Sequence, residues 1–145
     1  MSCEEDFFRS LRGRGLRLTS QRKTILAALH QLDELATAEE IFQHVQKSSS
    51  SSLDISTVYR TLELLRTFQV VSCIQGSDGQ YRYELARHHA PHVHLVCRVC
   101  GRVFEAAVDS LQPFISAAWE HHGFEVDLNA LSVGGLCREC CARGR

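Results

Sequence analysis

The stretch His92-Val93-His94-Leu95-Val96-Cys97-Arg98-Val99-Cys100-Gly101, with its later counterpart Cys137-Arg138-Glu139-Cys140, decides the C-terminal half of the fold. Two residues between cysteines let both thiolates face one point from a tight turn. Two such pairs supply the four sulfurs of a tetrahedral Zn²⁺ site. The 36 residues between Cys100 and Cys137 exceed what a compact zinc ribbon needs. A structural zinc at Cys97, Cys100, Cys137 and Cys140 is therefore expected to clip together the ends of a strand–helix–strand unit. Two disulfides are the alternative, and the cysteine total of seven, an odd number, argues against a disulfide framework. The start, Met1-Ser2-Cys3-Glu4-Glu5-Asp6, is acidic and no long apolar run follows. Neither a signal peptide nor a membrane span is expected, and a cytoplasmic location follows as the expectation.

Working outward, the chain has 145 residues, 44% of them hydrophobic, which suits one domain or two small ones. The net charge of −1 hides an uneven distribution. Arg9, Arg12, Arg14, Arg17, Arg22 and Lys23 lie in a stretch, Phe7 to Leu32, without a single acid, which suits phosphates as well as a solvated helix face. Thr19 is placed to cap a helix carrying Ile25, Leu26 and Leu29. Thr37-Ala38-Glu39-Glu40 reads as a capping box before Ile41, Phe42 and Val45. Asp54-Ile55-Ser56 opens a third helix with Val58, Leu62 and Leu65 inward and Thr57, Tyr59, Arg60 and Thr61 on its polar face. Two β-prone runs, 69–74 and 80–85, joined by Ser77-Asp78-Gly79, form a hairpin. Helix, helix, recognition-type helix and hairpin is the order of a winged helix-turn-helix, whose second motif helix enters the DNA major groove. An ordinary helical subdomain with surface Tyr and Arg is the alternative.

The second half differs in kind. Strands are expected over 93–99 and 102–107 and a helix from Asp109 to about His122, stopped by Gly123. Mostly extended chain should follow from Phe124 to Val133. A small sheet with one covering helix has a limited core, so zinc and a second copy, meeting through roughly 93–136, are expected to complete it. The resulting fold class is α+β. A winged-helix DNA-binding domain (1–86) joins a hinge (87–91) and an α/β dimerisation and zinc-binding domain (92–145).

Four of the eight histidines, His88, His89, His92 and His94, fall within seven residues. In an extended segment His92 and His94 project to one side. Two imidazoles with a carboxylate nearby suit Zn²⁺, Fe²⁺ or Mn²⁺, and a metal at this junction would couple its occupancy to the placement of the two halves. A surface histidine cluster with no fixed ligand is the alternative.

With these motifs assembled, the chain resembles the ferric uptake regulator (Fur) family of bacterial metal- and peroxide-sensing repressors. The resemblance runs through 15–22, 37–42, 56–62, 92–101 and 137–140, in that order. It implies a homodimer that binds double-stranded operator DNA, an A/T-rich near-palindrome, when a regulatory metal is loaded. Tyr59 and Arg60 become recognition-helix contacts, with Thr57 beside them; Arg17 falls near the minor groove and Arg22 near the backbone. The four cysteines match structural zinc ligands. His92, His94 and Glu84 match the regulatory site, and Glu105 an occasional extra carboxylate. Cys73, and His88 or His89, are further candidates to complete the sphere. Leu35 stands where iron and peroxide sensors usually supply a histidine, and Ser72 near where zinc sensors often have Asp or His. A further metal site of many members is not expected, since Pro91, Val93, Gln112 and Asn129 hold its positions. With Cys73 as a soft ligand the expectation is a zinc-sensing repressor of zinc-uptake genes, resembling the zinc-uptake regulators (Zur). Iron sensing comes second and peroxide sensing third. An enzyme is not expected: a zinc deaminase needs an upstream His-x-Glu that is missing, and zinc-saturated cysteines leave no dithiol for redox exchange. A zinc-ribbon interaction module without a DNA role is the rival of another class.

Overall fold

The computed structural model describes residues 3–48, 52–86, 92–128 and 131–144. Four helices come first: α1 (Cys3–Gly13), α2 (Ser20–Leu32), α3 (Ala38–Ser48) and α4 (Ile55–Thr67). Three of these helix starts have a chemical cause. The Thr19 side chain accepts from the Arg22 N–H to start α2, and Asp54 accepts from the Thr57 N–H to start α4. Before α3, Thr37 Oγ1 accepts from the Glu40 N–H at 3.2 Å, while Glu40 Oε2 accepts from the Thr37 N–H at 2.9 Å. That reciprocal pair is the capping box. Strand β1 (Ala36–Thr37) pairs with β3 (Tyr81–Leu85), which pairs in turn with β2 (Val71–Gln75), all antiparallel.

The helices and the β2–β3 wing enclose one apolar core. Leu11, Ile25, Ile41, Val45, Val58, Leu62, Leu65 and Val71 are all fully buried in it. The inward stripe expected on α4, Val58, Leu62 and Leu65, is therefore present. Thr61, expected on the polar face, is buried as well. Helix α1 has no counterpart in the expected elements. Its Leu11 sits in the core with Phe7 and Phe8 against it, but the acidic start and the arginines obscure that apolar face in the sequence.

The C-terminal sheet consists of β4 (His92–Cys97) between β5 (Val103–Ala107), antiparallel, and β6 (Ser132–Gly135), parallel. A 3-10 turn (Val108–Leu111) leads into α5 (Gln112–His122), which ends on Gly123 in the left-handed region at φ 60°. Regular strand in the expected extended run 124–133 is confined to its last two residues, where β6 begins. A short α6 (Arg138–Ala142) closes the chain. Helix α5 was expected to cover the sheet, yet it buries none of its residues within this chain. The row Phe104–Leu95–Val133, set side by side across β5, β4 and β6, is likewise exposed. An apolar row and an unpacked helix in one small unit leave its core incomplete.

The expected hinge, 87–91, lies outside the described residues. On either side of it the wing and the C-terminal sheet approach each other: Ser77 Oγ lies 3.1 Å from where a Cβ on Gly101 would stand. With φ at +76°, Gly101 is the residue that both this approach and its own turn require.

Leu62→Ala should destabilise the N-terminal core by about 2–5 kcal/mol, measured by urea denaturation followed through helix content. A loss below about 1 kcal/mol would contradict the packing described.

Candidate metal centres and nucleic-acid face

The two cysteine pairs meet. Cys97 ends β4, and a turn closed by the Gly101 N–H to the Cys97 carbonyl (3.0 Å) brings Cys100 back beside it. Cys137 sits at the N-cap of α6, and Cys140 lies one turn inside. The four Sγ atoms all lie within 4.8 Å of one another, and Cys100 and Cys137 are 3.8 Å apart. Zinc–sulfur bonds of about 2.3 Å imply tetrahedral edges of about 3.8 Å, so the arrangement fits a tetrathiolate ion. Electrostatics agree. Backbone N–H groups, chiefly that of Cys100 and then those of Cys137 and Val99, draw the Cys97 thiol down to about 5. The Cys140 thiol is pushed up to about 12, chiefly through its contact with Cys137. Four thiols this close cannot all ionise without a cation among them. Arg102 bridges the two loops by forking onto both carboxylate oxygens of Glu139. This is a four-cysteine site of the kind typical of structural zinc.

A second cluster joins the two halves. Glu84 on β3 is buried, and its Oε1 lies 2.8 Å from His94 Nε2 and 2.9 Å from His92 Nε2. The two imidazole Nε2 atoms are 3.2 Å apart, and Glu105 Oε1 stands 3.8 Å from His92 at the exposed rim. Register explains the meeting: His94 pairs with Glu105 across β4–β5, and His92 shares the face of His94. Burial raises the Glu84 carboxyl, but His94 and then His92 more than offset it, and the net pKa falls below the ordinary value. An ionised carboxylate under two imidazoles, with a second carboxylate at the rim, is a donor set for a divalent cation.

One expected ligand among the described residues is not part of this cluster. Cys73 pairs with Tyr83 in the β2–β3 ladder, whereas Glu84 pairs with Ser72. Alternation therefore turns Cys73 to the opposite face, into the apolar core. Burial there raises its thiol pKa. His89 lies outside the described residues, as do His88, Pro91 and Asn129. The residues flanking Glu84 offer no strong donor. Ser72 faces it from β2, and the β1–β3 register, carried one residue back from Ala36, sets Leu35 opposite it.

The residues expected to face DNA gather at two helix starts. Thr57, Tyr59 and Arg60 stand on the first turns of α4, and Arg22 on the first turn of α2. A shallow cleft of about 400 Å³ lies between them, lined by Thr19, Gln21, Arg22, Thr57, Arg60 and Thr61. The start of α2 carries no acid, which leaves its positive dipole end uncompensated beside two guanidinium groups, whereas the Asp54 carboxylate caps the start of α4. Arg17 is exposed just before α2, and Arg22 donates to its carbonyl at 2.6 Å, fixing the loop that presents it.

Cys140→Ser should lower the tightly held zinc from about one ion per chain to near zero by elemental analysis. Structural zinc contributes about 10–16 kcal/mol of binding free energy. The C-terminal sheet should therefore melt while the helical signal of the N-terminal core persists. Full zinc retention in the variant would contradict the four-sulfur site.

Residues 13–133 match the model of the ferric uptake regulator family. The chain is 34% identical over 135 residues to the ferric uptake regulation protein of Bacillus subtilis, covering 91% of this chain and 90% of that one. It is 28% identical over 136 residues to the peroxide-responsive repressor PerR of Staphylococcus saprophyticus, covering 94% and 90%. Its fold matches the ferric uptake regulator of Pseudomonas aeruginosa solved with manganese at a TM-score of 0.73, with 24% identity, 94% of this chain and 99% of that one. The four-cysteine site, the carboxylate–imidazole cluster joining wing to sheet and the basic double helix start thus occur in a chain that belongs to the ferric uptake regulator family of metal-dependent, DNA-binding transcription regulators, which are not enzymes.

Proposed function

We propose that this chain is a zinc-sensing member of the family, a repressor of zinc-uptake genes acting in the cytoplasm on an A/T-rich near-palindromic operator. The observation that carries the reading is the origin of the second cluster. Glu84 comes from the wing strand, and His92, His94 and Glu105 from the C-terminal sheet. A divalent ion supplies the positive charge that all four donors share. Glu84 then cannot leave the imidazoles without exposing that charge, and the wing is held to the sheet. In this reading residues 1–86 bind DNA, 87–91 join the halves and 92–145 dimerise. Tyr59, Arg60 and Thr57 meet base edges and phosphates, Arg17 the minor groove and Arg22 the backbone.

The choice of zinc rests on donor number. Leu35 and Ser72 flank Glu84 where a further strong ligand would enter, and a four-donor set of two imidazoles and two carboxylates suits tetrahedral Zn²⁺. With Cys73 turned away, the sulfur argument for zinc is gone, and coordination number alone supports it. The relatives named for ferric uptake and peroxide response favour a second reading, Fe²⁺ sensing, in which water fills further positions. Dimerisation draws support from the exposed row Phe104–Leu95–Val133 and from α5, whose Phe114 and Trp119 are also exposed. A second copy covering both completes the core.

Three measurements bear on this. The full chain with only the four-cysteine zinc filled should gain affinity for its operator on adding buffered Zn²⁺ at a lower free concentration than Fe²⁺ or Mn²⁺. The reverse order would replace zinc by iron. The His92→Ala, His94→Ala double variant should lose about 100-fold or more of the metal-dependent affinity, the factor expected when the competent pose falls to about 1% of the population. A retained metal response in that variant would show the cluster to be irrelevant. Leu95→Glu, placing a charge at the centre of the apolar row, should shift sedimentation from dimer to monomer.

A further inference from the structure

Two adjacent acids open α3, and they are differently engaged. Glu40 closes the capping box with Thr37. Glu39 is not needed for that cap. Its carboxylate crosses to α4 and accepts a hydrogen bond from the Tyr59 hydroxyl. The bond is the main reason that the Glu39 carboxyl lies below its ordinary pKa and the Tyr59 phenol above its own. At neutral pH the acceptor is therefore charged and the phenol keeps its proton. Beside the pair is a cleft of about 190 Å³ between helix and wing, lined by Glu39, Tyr59, Gly79, Gln80, Tyr81 and Tyr83. All three tyrosines of the chain gather there.

Unlike Asp54, whose carboxylate caps α4, and Glu40, which caps α3, Glu39 closes no helix start. Arg17, Arg22 and Arg60 stand ready for phosphates on the same side. The exposed Glu39 weakens attraction for every DNA sequence alike, so it adds to discrimination only by favouring one pose over others. Its contact with Tyr59 provides the means. A phenol has one O–H to donate, and Glu39 takes it, which fixes the ring and leaves only its edge, face and lone pairs for a base.

We infer that Glu39 is a specificity-determining positioning residue: it holds Tyr59 in the pose that reads the operator. The inference rests on the DNA-binding role proposed for Tyr59.

The test uses the full, metal-loaded chain and duplexes that the wild type enriches from a random pool. Fluorescence anisotropy gives the ratio of affinities for an enriched and a scrambled duplex. Glu39→Ala should lower that ratio roughly tenfold, the size of one mismatched base pair. Its affinity for scrambled DNA should rise about threefold, as expected for removing one exposed charge. Tyr59→Phe should lower the ratio similarly, and the double variant should lose no more than the worse single one. Glu39→Gln, whose carboxamide oxygen still accepts from the phenol, should keep most of the ratio while binding scrambled DNA more tightly. An unchanged ratio in Glu39→Ala, losses that multiply in the double variant, or Glu39→Gln behaving as Glu39→Ala would each overturn the inference. A role confined to helix stability would lower the melting temperature and leave the ratio alone. If the wild type enriches no sequence at all, the DNA-binding reading falls first and this one with it.

Discussion

A buried carboxylate is costly unless something charged or hydrogen-bonding answers it, and for Glu84 the answer lies in the other half of the chain. Its own strand neighbours are Ser72 on one side and, by register, Leu35 on the other. Among the described residues, His92 and His94 bring two nitrogens within hydrogen-bond reach. The end of the wing is therefore tied to the C-terminal sheet by one ionised group. Whatever occupies the space among these atoms, a shared proton or a divalent cation, sets how firmly the tie holds. Few side chains need to move for such a junction to open. That makes it a natural place for regulation.

The distribution of apolar burial sharpens the point. The main core draws its buried residues from Leu11 to Leu85 only. Beyond the junction the buried apolar residues are Val93, Val96 and two cysteines. The N-terminal part can hold its shape by packing, as the fully buried stripe of α4 illustrates. The C-terminal part leans on other forces, a four-cysteine site at one end and the Arg102–Glu139 fork across its two loops, and it leaves Phe104, Leu95 and Val133 exposed. A ligand-dependent half attached to a self-sufficient half would let metal act on geometry without unfolding the N-terminal core.

Much of this was legible in the sequence because the signals were local. The Cys-x-x-Cys spacing, the Thr19 and Asp54 caps, the Asp-Gly turn and the period-two placing of His92 and His94 each depend on a few neighbouring residues. What escaped depends on register or on packing at a distance. Cys73 is one residue from Ser72, and that single step turns it from the metal face into the core, a parity set by pairing with Tyr83 and not by composition. Helix α1 was hidden because arginines and acids surround the one leucine that matters, Leu11. The poor packing of α5 could not be read from its ordinary apolar pattern, since the surface it needs is absent from a single chain. The Glu39–Tyr59 bond joins residues 20 apart on different helices, and the capping-box spacing, which assigns Glu40 to the cap, says nothing of where Glu39 turns.

The two ends of the N-terminal part also constrain each other. Glu84 and Tyr83 are consecutive on β3: one faces the C-terminal sheet, and the other lines the cleft beside Tyr59 and Glu39. A pull on the wing at Glu84 is thus applied one residue from the floor of the recognition cleft. If metal and operator both favour the same placement of that strand, each must strengthen the binding of the other by the same factor, because linkage between binding free energies is reciprocal. An operator-bound chain would then hold its regulatory ion more tightly than a free one.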